Sequence, residues 1–313
     1  MLHRFQGVWG LDVREDVQLR NLTRFALGGR AHGLVDASTE DALARALVIV
    51  YDAGVTHAVI GGGTNLIPAD EGFPGVILRY TAKAIEANGV LVTVEAGAVL
   101  QDLVDFAISR GLKGLETMTG IPGWVGGAVY GNAGAYGHSI QERIEWVRIF
   151  DGKQFREIGN CACEFQYRES IFKKRKEWIL VSAGLRLEPG DPEVLRQTAE
   201  DILKIRNQKY PPGMCCAGSI FKNLILSGLG SEVQAQIPAK VIREGKVPSA
   251  FFLEEVGAKG MVNGGIRVAD YHANLIYNSG EGTSRELREI VDTLKLRVKS
   301  TYGLELEEEV QYL

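Results

Sequence analysis

Between Gly120 and Gly137 the chain reads G-I-P-G-W-V-G-G-A-V-Y-G-N-A-G-A-Y-G, with seven glycines in eighteen residues. A second glycine loop, G-G-G-T-N-L at Gly61–Leu66, directly follows the apolar run Ala58–Ile60. Glycine tolerates positive φ and leaves no Cβ to block a ligand, at a cost in chain entropy. Amide nests of this kind bind phosphate or diphosphate without needing a lysine. Two such loops in a chain of otherwise ordinary composition point to backbone wrapped closely around a large anionic ligand.

The 313 residues are more than one domain usually holds, so two or three parts are expected. Hydrophobic content of 45% and charged content of 24% are those of a soluble globular protein with a real core. A net charge of −4 leaves no basic footprint for nucleic acid. No run of eighteen apolar residues is present, so no membrane span is expected. The opening M-L-H-R-F-Q-G lacks an apolar signal region, which suggests a cytoplasmic protein. Cys161, Cys163, Cys215 and Cys216 form C-x-C and C-C, neither of them the C-x-x-C of a zinc or thioredoxin-like site. They are expected to be reduced and structural, with no metal site.

The first part alternates strand and helix. Ser38-Thr39-Glu40-Asp41 reads as a capped helix start, and the helix should run to about Ala53 and stop at Gly54. Ala58–Ile60 and Val76–Arg79 read as buried strands, and V-L-V-T-V-E at Val90–Glu95 as a half-buried one. A helix over Leu100–Arg110 should close at Gly111. Ile144–Phe150 and Ile179–Leu187 follow as strands, with a linker at Glu188–Asp191. Asp191-Pro192-Glu193 opens a helix to about Gln208, and Thr283-Ser284-Arg285-Glu286 is a capping box for a long helix ending at Gly303. The last residues, L-E-L-E-E-E-V-Q-Y-L, alternate like a strand. The class is α+β.

A dinucleotide-binding fingerprint would need G-x-G-x-x-G between strand and helix. Gly61-Gly62-Gly63 follows a strand, but Pro68 breaks any helix after it, and no acidic residue follows in a second strand. That fold is excluded. The motifs instead resemble those of the UDP-N-acetylenolpyruvoylglucosamine reductase family. They are N-L-T-R-F-A-L-G-G at 21–29, G-G-G-T-N-L at 61–66, G-I-P-G-x-V-G-G-A at 120–128 and N-A-G-A-Y-G at 132–137. Y-R-E-S at 167–170, A-G-S-I-F-K-N at 217–223 and H-A-N at 272–274 complete the set. The glycine loops are shared with other flavoproteins of the same fold, whereas Y-R-E-S followed by G-S-I-F-K-N is far more specific.

The resemblance implies an FAD-binding fold of the vanillyl-alcohol-oxidase type in two subdomains, 1–79 and 80–190. A linker helix at 191–213, a substrate-binding α+β domain at 214–302 and a C-terminal strand at 303–313 would follow. It implies non-covalent FAD, NADPH as co-substrate, a UDP-sugar as substrate and a monomer. Hydride passing through the flavin would reach C3 of an enolpyruvyl ether and leave an enolate to be protonated at C2. Cofactor contacts are implied at Gly61, Gly62, Gly63, Thr64, Asn65, Leu66, Gly120, Ile121, Pro122, Gly126, Gly127, Asn132, Ala133 and Gly137.

The enolate needs donors where its charge develops, and the permanent planar cation of Arg168 matches that need. Ser219 matches the family's proton donor to C2. Strand alternation sets Glu305, Glu307 and Glu309 on one face and leaves both Glu307 and Glu309 open as the active-site acid. The family's x-E-V pattern assigns Glu309. Lys209, Asn223 and Glu255 fall in matching substrate- or NADPH-binding segments, though Glu255 also suits an exposed helix position. His272 reads as structural. Leu224 stands where the family usually has proline and Trp124 where it usually has a small residue. The short spacing from Arg168 to Ser219 marks the shorter class, without the inserted loop that carries a substrate-binding tyrosine.

Two rivals are an oxidase of the same fold with tethered flavin and a nucleotide-sugar binder that has lost catalysis. Oxidases of that kind carry a histidine in the glycine loop, where this chain has Thr64. Retention of Arg168, Ser219 and Glu309 speaks against the binder. The protein should purify yellow, and acid precipitation should leave the colour in the supernatant; a yellow pellet would reveal a tether.

Overall fold

The alternation at Val90–Glu95 produces the strand Leu91–Glu95, with Val92 and Val94 buried and Leu91 and Thr93 turned outward. A computed structural model describes residues 2–313. The chain divides into two compact units, each gathered from three segments. The first comprises the described residues up to Val17, Ala31–Gly62 and Pro74–Gln208; the second comprises Gln18–Arg30, Gly63–Phe73 and Lys209–Leu313.

The first unit has two sheets. In the four-stranded sheet the order is Leu11–Gln18, Arg30–Ala37, Phe73–Tyr80, His57–Val59, and the last two run parallel with His57 opposite Val76. Helix Glu40–Asp52 lays Ala42, Leu43, Ala46, Leu47 and Val50 into one core with Val35, Val76 and Leu78. Its cap is Thr39, whose Oγ1 accepts from the Ala42 amide at 3.1 Å, while the neighbouring Ser38 hydroxyl turns to the Gly10 carbonyl. Gly54 takes the expected left-handed turn at φ +60°.

The five-stranded sheet is antiparallel, ordered Phe155–Gly159, Ile144–Phe150, Ile179–Arg186, Leu91–Glu95, Ile85–Asn88. Helices Leu100–Ser109, Val125–Tyr130 and Pro192–Lys209 share a core with its Val92, Val94, Val147, Ile149 and Leu185. A Cβ at Gly184 would lie 2.2 Å from the Trp146 indole, so the strand is glycine where the opposite tryptophan crosses it.

The expected breaks after 79 and 190 both fall inside this unit. Glu188–Pro189 is no free linker, because it pairs with Leu112–Lys113. Helix Pro192–Lys209 is bound to the unit by Leu195 and Ala199, which periodicity alone could not attach to a particular core.

In the second unit Val262–Asn263, Ile266–Ala269 and His272–Asn278 form an antiparallel meander. Helix Ser284–Tyr302 buries Leu287, Ile290, Val291, Leu294 and Val298, the spacing of one helical face. These meet Phe252, Leu253, Val268 and Ile276 in one core. The capping box forms as expected: Thr283 Oγ1 accepts from the Glu286 amide at 3.1 Å and Glu286 Oε2 from the Thr283 amide at 2.9 Å. Gly303 ends the helix at φ +68°.

The C-terminal residues depart from the expected long strand. Only Gln311–Tyr312 is a strand, and it runs parallel to Leu66–Ile67. Upstream, Leu304 and Leu306 pack inward and Glu305 points out, but the alternation breaks at Glu308, where a single bridge to Phe221 takes over.

Leu294→Ala should cost about 2–5 kcal/mol in urea unfolding, because it empties a fully buried site. Leu296→Ala, 65% exposed on the same helix, should stay within about 0.5 kcal/mol.

Candidate functional site

The first glycine loop follows strand His57–Val59. No backbone carbonyl among the described residues accepts the amides of Gly61, Gly62 or Gly63, so the loop presents donors with no partner in the main chain. In the first unit, a Cβ on Gly61 would approach the Gly127 nitrogen no closer than 3.9 Å, and a Cβ on Gly127 would meet nothing within 4 Å. Open space beside bare amides suits a flavin nucleotide whose diphosphate takes hydrogen bonds from the main chain. Those residues fit the group the sequence implied.

Gly62 has a different neighbour, since its Cβ would lie 3.0 Å from Trp124 Cδ1. The indole at this unusual position is thus packed against the loop, with the Arg79 guanidinium 5.4 Å above its ring. Arg79 is held by two hydrogen bonds of 2.6 Å to Asp36. Gly63 belongs to the second unit, where its φ of +66° and the Leu22 carbonyl, 1.9 Å from a notional Cβ, demand glycine.

Several of the other expected cofactor residues also have partners within the fold. The Gly126 amide donates to the Ala96 carbonyl at 2.9 Å, so it is not available to a phosphate. Asn132, at φ +44°, spends its side chain on the Gln166 carbonyl at 2.7 Å and on Gln141 at 3.2 Å. Ala133 donates to Ala128 and accepts from Ile140, and Gly137 turns the loop at φ +83°. Gly120, Ile121 and Pro122 wall an open cavity of about 630 Å³ with Val99, Ala199 and Leu203. The Gly120 amide is taken by Gln101 at 2.7 Å.

By holding Gln166, Asn132 also sets the turn that carries Arg168. Gln166 and Glu169 exchange backbone hydrogen bonds of 3.0 Å, leaving Tyr167 and Arg168 at the tip. Arg168 is left-handed, φ +58°, a conformation that costs a non-glycine residue about 1 kcal/mol or more. Lys173 Nζ pins its carbonyl at 2.6 Å, and Arg168 Nη2 donates to the Gly134 carbonyl at 2.9 Å. A strained, braced arginine is a feature of sites more than of surfaces.

In the second unit the G-S-I-F-K-N segment is clasped on both sides. Ser219 bridges Leu275, and the Ile220 amide donates to the Asn274 carbonyl at 3.2 Å. The Asn274 side chain, buried, closes a pair with Phe221 at 2.9 and 2.8 Å. From the other side the Glu309 amide donates to Ile220 at 2.7 Å, and the Glu309 carbonyl accepts from Asn65 Nδ2 at 2.9 Å. The structure therefore brings Ser219, Glu309 and the Asn65 of the glycine loop together through backbone. The acidic cluster separates: Glu307 pairs with buried Lys222, Glu308 with Lys295 at 2.9 Å, and Glu305 with Lys299. Glu307, exposed and ion-paired, is thereby set apart from Glu309.

Asn223 Oδ1 accepts from the Ser249 amide at 3.4 Å. Glu255 is exposed at the end of helix Ser249–Glu255, as a surface residue would be. Lys209 lies with its Nζ 5.0 Å from the centre of the Tyr210 ring. His272 is pushed down to about 4, by burial first and then by the positive charge of Lys209. It is neutral near pH 7, and its Nδ1 accepts from the Asn274 amide at 3.2 Å. Leu224 pairs antiparallel with Val247, a ladder position that proline would weaken.

Sequence reasoning missed Asn274 as the clasp and Tyr210, whose hydroxyl lies 3.3 Å from Ser219 Oγ. The asparagine of H-A-N, in an apolar stretch, was the available signal for the first; nothing in the sequence flagged the second. All four cysteines are free thiols, and burial pushes Cys163 up to about 12. Among the described residues no helix is long and apolar enough to cross a membrane.

A family profile described as FAD binding domain matches residues 31–154. Fold and match together define a flavoprotein oxidoreductase of the FAD-binding α+β class. A second profile, UDP-N-acetylenolpyruvoylglucosamine reductase, C-terminal domain, matches residues 210–313. A UDP-N-acetylenolpyruvoylglucosamine reductase of Solibacter usitatus is 55% identical over 310 residues, covering 99% of each chain. That of Bacillus subtilis is 32% identical over 94% of this chain and 92% of its own. The crystal structure of the Thermus caldophilus enzyme superposes with a TM-score of 0.76 at 28% identity, covering 96% of this chain and 99% of that one. The chain belongs to the UDP-N-acetylenolpyruvoylglucosamine reductase family.

Gly127→Ala and Gly63→Ala separate flavin contact from folding. Gly127 is helical and open, so the alanine variant should melt no lower than the parent when stripped of FAD. Its FAD binding should weaken about tenfold, the worth of one good contact. Gly63→Ala should instead lower the melting temperature of both forms.

Proposed function

We infer that this chain reduces UDP-N-acetylglucosamine enolpyruvate to UDP-N-acetylmuramate at the expense of NADPH, a step in making peptidoglycan precursors. Family membership over the whole chain supports this reading, and so does the clasp that holds Ser219 beside the backbone of Glu309. Bound FAD supplies the hydride chemistry, with the main-chain amides of Gly61 and Gly62 and the open face at Gly127 as its holding residues. The substrates are soluble nucleotides, which favours a cytoplasmic enzyme.

The chain's own residues handle charge and proton. Arg168 presents a planar fork to the substrate carboxylate, the group onto which enolate charge spreads, and its braced left-handed backbone fixes the fork before substrate arrives. Ser219 gives its hydroxyl proton to C2. Its backbone is fixed by the Leu275 bridge, so the hydroxyl is aimed by the ladder and not by its own rotamer alone. Glu309 lies one ladder step away and polarises the enolpyruvyl group.

The deciding experiment is anaerobic stopped flow, with NADPH bleaching the flavin and the enolpyruvyl substrate recolouring it. Arg168→Lys keeps the charge but loses the fork, so recolouring should slow about 10²–10³-fold while bleaching changes little. Ser219→Ala should bleach normally and recolour very slowly, with Ser219→Cys recovering part of the rate. Slowing confined to bleaching would remove Ser219 from the chemistry.

A further inference from the structure

A serine hydroxyl is a weak acid, and donating its proton leaves an alkoxide that must be quenched. The second unit holds a group placed for that. Pro211 to Gly213 reverse the chain, with the Met214 amide on the Pro211 carbonyl at 3.1 Å and Gly213 at φ +83°. The reversal folds Tyr210 back toward Ser219, and the two hydroxyl oxygens lie 3.3 Å apart, either one able to donate. Tyr210 is itself braced: its ring packs with Cys216 and Leu275, and the carbonyl of Lys209 before it accepts from the Tyr271 hydroxyl at 3.0 Å.

We propose that Tyr210 is a positioning residue that acts through Ser219, orienting the serine hydroxyl and returning a proton to it. This rests on Ser219 being the donor to C2. The Ser219 O–H bond breaks as the C2–H bond forms, and the electron pair left on Oγ takes the Tyr210 phenolic proton. Solvent then reprotonates the phenolate. A phenol is a much stronger acid than an aliphatic alcohol, so the negative charge moves downhill. The Lys209 ammonium sits over the face of the same ring, 5.0 Å from its centre, and helps hold it in place. The other titratable or charged groups around the ring are Tyr271, Tyr277 and Cys216, with Arg24 beyond the cysteine. The Tyr210 phenol is thus an acid whose oxygen lies 3.3 Å from the serine hydroxyl.

The test uses the full FAD-loaded chain with Tyr210→Phe, Ser219→Ala, the double variant, and 3-fluorotyrosine at position 210. Tyr210→Phe should slow recolouring about tenfold, the worth of one hydrogen bond to a developing charge, with bleaching by NADPH and melting temperature unchanged. In the Ser219→Ala background the same change should add nothing. Fluorotyrosine, a stronger acid of the same shape, should keep the rate and shift the alkaline limb of its pH profile to lower pH, a response that packing alone would not give. Parent-like recolouring in Tyr210→Phe beside a slow Ser219→Ala would overturn the relay and leave the serine donor standing. Additive losses in the double variant would also overturn it. Fast recolouring in Ser219→Ala would remove the donor and the relay with it.

Discussion

A short parallel ladder between Asn65–Ile67 and Gln311–Tyr312 holds the second unit's site together. The Gln311 amide donates to Asn65 at 2.9 Å, Leu313 to Ile67 at 3.1 Å, and Ala69 back to Leu313 at 2.8 Å. Segments some 240 residues apart thus share one edge, and the Asn65 side chain extends the stitch to Glu309. Loop closure over such a separation is entropically costly, and these bonds are repaid only with the core behind them, Ile67 and Val310 among Leu306, Leu294 and Phe221. The position of Glu309, and through Ile220 that of Ser219, follows from this ladder.

Neighbouring contacts have the same character. Asp70 accepts from the Ser284 and Arg285 amides at 2.7 and 2.9 Å, completing the start of helix Ser284–Tyr302 from a distant loop. Asn278 Nδ2 donates to the Phe25 and Ala26 carbonyls at 3.2 Å each. Both side chains satisfy main-chain groups that no regular element reaches. In the first unit Asn132 does this for the Arg168 turn. Loops that carry chemistry are made rigid here by buried asparagine and capping aspartate, beside ion pairs such as Glu308 with Lys295.

The regular elements were legible because their signals are local. Capping at Thr283 and a glycine stop at 303 depend on residues within a turn or so of the helix ends, and the helix forms as read. Alternation failed in L-E-L-E-E-E-V because a pattern of period two says nothing about whether a partner strand exists along its whole length. Partners exist only for Gln311–Tyr312, with a lone bridge at Glu308. The expected linker at Glu188–Asp191 failed for a related reason: a turn-rich stretch still pairs if a neighbour such as Leu112–Lys113 is delivered to it.

By itself the sequence determined the α+β class, the glycine loops, the extents of the long helices and of strands Ile144–Phe150 and Ile179–Arg186, and, through motif resemblance, the family and its flavin. Each follows from short-range physics or from motifs that keep their order. Strands Leu11–Gln18, Arg30–Ala37 and His272–Asn278 went unread. Only the tertiary structure decided that Gly126 packs on Ala96 while Gly127 stays open, that Glu307 goes to Lys222, and that Tyr210 meets Ser219. Those outcomes turn on where distant backbone lies to within an ångström, and on which of several like residues a particular partner reaches. Residue type and spacing carry no record of that distance.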